Sequence, residues 1–77
     1  MSMLGYSIRV AEAIKAADGN LLGVQLGRAC LARDIPVSDV ARRLKVTRQT
    51  VYHWFLGESD PRGDTRDAIQ TYLASLG

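Results

Sequence analysis

VSDVARRLKVTRQTVYHWFLGE, residues 37–58, spaces its apolar side chains as two short helices, about 37–44 and 48–56, with almost no chain between them. Val37, Val40, Ala41 and Leu44 fall at i, i+3, i+4 and i+7, the interval of one helix face. Lys45-Val46 reads as a tight turn, and Thr47 has the side chain of an N-cap. The helix that follows carries Val51, Trp54 and Phe55 and stops at Gly57, a residue suited to the left-handed conformation of a helix end. Two short helices joined by three or four residues must cross steeply. Ala41 then sits where they approach most closely, which requires a small side chain. Val40 and Leu44 face the core from the first helix, Val51 and Trp54 from the second, and Val46 plugs the turn. Phe55 is either core or, if exposed, part of a dimer surface with Tyr72 and Leu76.

Upstream, Pro36 disfavours helix at Ile35 and cannot sit inside a helix itself. Before it, Leu22, Leu26, Ala29 and Cys30 share a face that Val24, Leu31 and Ile35 widen, predicting a helix over 21–34 with Asn20 as its cap. Gly23 and Gly27 stack on one side of that helix. Each is worth on the order of 1 kcal/mol less than alanine there, so the pair signals either a close helix crossing or mere tolerance. Tyr6, Val10, Ala13, Ile14 and Ala17 predict a first helix over 7–18, capped by Ser7 and stopped at Asp18-Gly19 with Gly19 at positive φ. Downstream, Pro61 and Gly63 mark a loop. Asp64 is expected to cap a last helix over 65–75, whose face is Ile69, Tyr72, Leu73 and Leu76. No stretch alternates as a strand does. The expected fold is all-α: one compact five-helix bundle spanning residues 1–77.

A chain of 77 residues has one modest core. Small domains often add a disulfide, a metal or a second subunit. One cysteine excludes an internal disulfide, and Cys30 and His53 are too few for a structural zinc site. Self-association is therefore the expected support, and no cofactor is expected. No apolar run approaches the roughly 18 residues of a membrane span, the N-terminus lacks a secretion-signal pattern, and the lone cysteine suits a reducing compartment. A cytoplasmic location is expected, with no membrane partner and no small-molecule ligand. The net charge of +2 says little, but its distribution says more. Between Ser38 and His53 stand Arg42, Arg43, Lys45 and Arg48 against Asp39 alone, a local balance of +3. Such a patch either faces phosphates or is simply solvated.

The segment Val37–Glu58 resembles the helix-turn-helix of lambda-repressor-like and Cro-like DNA-binding proteins. Ala41, Leu44, Val46, Val51 and Trp54 fill that motif's alanine, apolar and β-branched positions. The likeness extends loosely over Leu21–Leu76, and the first helix looks like an addition to it. Lys45 stands where the family usually has glycine, and must take a positive φ at some cost. Val37 stands where several phage repressors have a phosphate-binding glutamine.

The resemblance implies a recognition helix in the major groove, with Arg48, Gln49, Tyr52 and His53 at base edges. Ser38, Arg43, Thr47 and Thr50 would meet the DNA backbone. The residue types suit these roles: arginine can bridge guanine O6 and N7, and glutamine can pair with adenine N7 and N6. The expected function is sequence-specific binding of double-stranded DNA as a Cro- or repressor-like regulator of phage or bacterial origin, homodimeric at least on DNA. The alternative is the same motif in another machine, such as an antitoxin, a recombination accessory factor or a packaging adaptor. An enzyme is not expected, since catalytic groups do not cluster in the sequence and so small a core leaves little room for a pocket of about 300 Å³.

Overall fold

The computed structural model describes residues 7–76, and these are helical with no strand: α1 (Ile8–Ala16), α2 (Leu22–Ala32), α3 (Val37–Leu44), α4 (Arg48–Phe55) and α5 (Gly63–Leu76). Tyr6, expected at the head of the α1 face, lies outside the described residues.

Three consecutive helices end in the same way. Beyond α2, Asp34 takes φ 54°; beyond α3, Lys45 takes φ 60°; beyond α4, Gly57 takes φ 76°. Around each, two backbone hydrogen bonds close the turn. Ile35 N–H donates to Cys30 O (2.9 Å) and Asp34 N–H to Leu31 O (3.3 Å). Val46 N–H donates to Ala41 O (3.0 Å) and Lys45 N–H to Arg42 O (3.3 Å). Glu58 N–H donates to His53 O (2.9 Å) and Gly57 N–H to Trp54 O (3.1 Å). This paired pattern satisfies carbonyls that a helix end would otherwise leave free. Lys45 therefore adopts the left-handed conformation its position demands, despite its Cβ. Asp34 does so too, which ends α2 at Ala32, short of the expected Asp34.

The core forms where α2 crosses α4. A Cβ built on Gly23 would lie 2.6 Å from the Trp54 carbonyl oxygen, and one on Gly27 would lie 2.8 Å from Phe55 Cγ. Both glycines are buried, so of the two readings of this pair the close crossing holds. Phe55 is fully buried in that seam and is core rather than a dimer surface. Val40, Ala41, Val51 and Trp54 are buried with it, while Leu44 and Val46 are partly buried and pack against the same cluster. From α5, Ile69 and Tyr72 close the far side.

α1 is attached more lightly. Ile14 is its one buried residue, and Ile8 is 77% exposed. Its C-terminal end is held by Arg28 of α2, whose Nη2 donates to Lys15 O and Ala17 O at 2.8 Å each. A similar tie joins Arg33 Nη2 to Leu76 O at the end of α5 (2.6 Å).

Several local expectations are corrected. Ser7 does cap α1, accepting from Val10 N–H at 3.1 Å, but α1 stops at an extended Ala17 and Gly19 does not take a positive φ. Asn20 does not cap α2. Leu21 holds that position without a side-chain bond, because Asn20 lies in a turn in which its N–H donates to Asp18 Oδ1 at 2.9 Å. Asp64 falls inside the first turn of α5 instead of before it, since Gly63 already begins the helix at φ 58°.

Candidate nucleic-acid interface

α3 and α4 are each eight residues long and are joined by Lys45, Val46 and Thr47. The Thr47 hydroxyl accepts from Thr50 N–H at 3.2 Å and lies 2.9 Å from the Thr50 hydroxyl. Thr47 thus starts α4 and leaves a small polar rim at its N-terminus, where the helix dipole is positive. At 3.6 residues per turn, Arg48, Gln49, Tyr52 and His53 spread over about 140° of α4, centred opposite Trp54, with Arg48 at the edge of that arc, about 20° from the buried Phe55 one helix-length further on. The buried side fixes α4 in place and the other side is left for solvent.

The four residues on that outer side differ in freedom. Arg48 and Gln49 are exposed, and neither has a hydrogen-bond or ion-pair partner among the described residues. Tyr52 is half-buried, its ring packed against the core. The His53 side chain is 45% exposed, with Nδ1 2.7 Å from Glu58 Oε1. The sequence reading did not single out Glu58. The available signal was a carboxylate five residues after a histidine across a helix-ending glycine, a pairing that only the turn geometry makes close.

Arg42, Arg43, Lys45 and Arg48 are all exposed, and all lie within five residues of Thr47 in the chain. Asp39 offsets part of this charge through an exposed contact with Arg42 at 3.7 Å, a type of pair that contributes little and is easily exchanged for another anion. Arg43 stacks its guanidinium 5.3 Å from the Tyr72 ring centroid. That contact holds its stem against α5 and keeps the charge at the surface. Burial pushes the Tyr72 hydroxyl above its ordinary pKa, with Cys30 and Asp39 adding to the rise and Arg43 opposing it. Ser38, half-buried in the first turn of α3, has no bonded partner among the described residues.

Beside these arginines, Asp39, Arg42, Arg43 and Tyr72 line an open depression of about 410 Å³. Chain size therefore does not exclude a pocket above 300 Å³, as the sequence reading had expected it to. The Cys30 thiol is fully buried, and burial pushes its pKa up to about 12 against a smaller opposing pull from Arg33. It remains a neutral thiol at ordinary pH and is unreactive. Among the described residues no three His, Cys, Asp or Glu side chains group closely enough to hold a metal ion, and no helix is long and apolar enough to cross a membrane.

The chain matches no family model, no curated protein and no solved structure. Its functional reading accordingly rests on the residues and their geometry.

Proposed function

We propose that α3 and α4 form a helix-turn-helix and that the chain is a sequence-specific double-stranded-DNA-binding protein, acting as a Cro- or repressor-like transcriptional regulator. The observation that carries this reading is the helix pair itself. Two eight-residue helices joined by a left-handed turn hold one side of the second in the core and leave Arg48 and Gln49 outside, unpaired. In this reading the outer side of α4 enters the major groove, about 12 Å wide and able to admit a helix. Arg48 and Gln49 are the principal base readers, being the freest. Tyr52 and His53 sit one turn on, Tyr52 offering only the part of its ring that the core does not cover. Thr47, Thr50, Ser38 and Arg43 face phosphates from the helix starts and the flank, where the partial positive charge of the helix N-termini assists.

One such unit supplies few base contacts. Affinities of about 10⁻⁸–10⁻¹¹ M require two copies on a pseudo-palindromic site, so a homodimer on DNA is part of the proposal. Phe55 and Tyr72, being buried, are not its surface.

Binding of variants to a preferred site and to random DNA tests the role of each residue. Arg48→Ala and Gln49→Ala should flatten base preference at one position each, by about 1–3 kcal/mol. Arg43→Ala should weaken all sequences alike and reduce the salt slope by about 1. Equal losses on preferred and random DNA from all three would contradict the reading.

A further inference from the structure

The three helix ends of matching geometry differ at one pair of positions. The residue that follows the left-handed one and the residue five positions before it lie across the turn from each other, and the contact between them is usually apolar. After α2 these are Ile35 and Cys30, and after α3 they are Val46 and Ala41, with Ile35 and Val46 packed on the core. After α4 they are Glu58 and His53. The backbone bond from Glu58 N–H to His53 O (2.9 Å) fixes the two residues against each other, and the side chains meet at 2.7 Å.

A carboxylate can only accept, so the proton in this contact is carried by His53 Nδ1. In the neutral ring Nε2 is then left with a lone pair. Among the described residues Nε2 has no partner, and no side-chain nitrogen or oxygen is buried without one, so Nε2 opens to solvent on the outer side of α4.

We infer that Glu58 sets His53 as a hydrogen-bond acceptor on the reading side of α4, and so selects a base that presents an exocyclic amine in the major groove. Those bases are adenine, through N6, and cytosine, through N4. Guanine offers only O6 and N7 there and thymine only O4, all acceptors. The inference rests on the DNA reading of α4 given above. Glu58 is a positioning residue, acting through the ring of His53 and not on the base. Without it the ring is free to protonate Nε2 instead, and the discrimination disappears.

The test has two arms on the full chain at pH 8. Nitrogen-15 NMR of the imidazole, without DNA, should find the Nδ1–H tautomer in the wild type and its loss in Glu58→Ala. The second arm uses a preferred site varied at the position whose preference His53→Ala abolishes. There, removing the exocyclic amine of the preferred pair (purine in place of adenine, or 2-pyrimidinone in place of cytosine) should weaken binding of the wild type by at least about fivefold, and of Glu58→Ala by less than about twofold. Affinity of Glu58→Ala for random DNA should be kept or rise, because a negative charge has gone. The double variant should lose no more preference than His53→Ala alone, since the two residues act as a unit. An Nε2–H tautomer in the wild type, no loss in the wild type on removing the amine, an equal loss in Glu58→Ala, or additive losses would each overturn the inference. A wild type with the Nδ1–H tautomer and no preferred sequence would instead overturn the DNA reading, and the inference with it.

Discussion

The seam between α2 and α4 and the attachment of α1 are built on opposite principles. In the seam, backbone meets side chain directly: Gly23 lies under Trp54, Gly27 lies under Phe55, and no room remains for a methyl group. α1, by contrast, rests on the single buried Ile14 and the Arg28 clasp, and leaves Ile8 in water. The difference separates what must be rigid from what need only be present. A helix offered to a partner by its outer side must have its inner side held without play, and the seam supplies that hold. α1 contributes one fully buried residue, Ile14, with Val10 partly buried against the same core.

Four substitutions break or sharpen this contrast, in decreasing order of expected effect. Phe55→Ala should remove about 3–5 kcal/mol of stability in denaturant unfolding, enough to unfold so small a domain. Gly23→Ala should lose about 1–3 kcal/mol, because the added Cβ meets the Trp54 backbone oxygen, which cannot move aside as a side-chain tip would. A gain in stability, as helix propensity alone would give, would mean that the seam is looser than described. Arg28→Ala should lose about 1 kcal/mol. Its signature is faster amide exchange in α1 with α4 unchanged, and equal acceleration in both would merge the two regions into one cooperative unit. Ile8→Ser should stay within about 0.5 kcal/mol of the wild type.

The seam was only half legible in the sequence. The spacing of Gly23 and Gly27 announced a feature without deciding it, because a glycine pair looks the same whether a neighbour fills the space or not. The α3–α4 pair was legible almost to the residue. Its apolar intervals, the Thr47 cap and the left-handed Lys45 are local properties, settled within a few residues of chain. The stop at Asp34 was missed because aspartate is only an occasional left-handed residue and Pro36 offered a more obvious break. Asn20 and Asp64 were assigned caps on residue type alone; Asn20 lost that role to the turn at Asp18, and Asp64 to the earlier start of α5 at Gly63. The Arg28 clasp joins residues 11 to 14 apart, and the Arg33 tie spans 43. Neither distance carries a sequence pattern. At the candidate site, the exposure of Gln49 followed from the opposite, apolar face, and that of Arg48 from its place at the start of α4. The anchoring of Tyr52 on the core, of Arg43 on Tyr72 and of His53 by Glu58 depended on packing and on the turn after α4.

The central claim is that this rigidly held helix reads base sequence, and selection of bound sites from random double-stranded DNA with the full chain tests it most directly. An enriched pseudo-palindrome is expected, with half-sites about one helical turn apart, close to 10–10.5 base pairs. In Arg48→Ala the preference should collapse at one position of each half-site. Recovery of random sequence, or of a motif that Arg48→Ala leaves intact at every position, would contradict it.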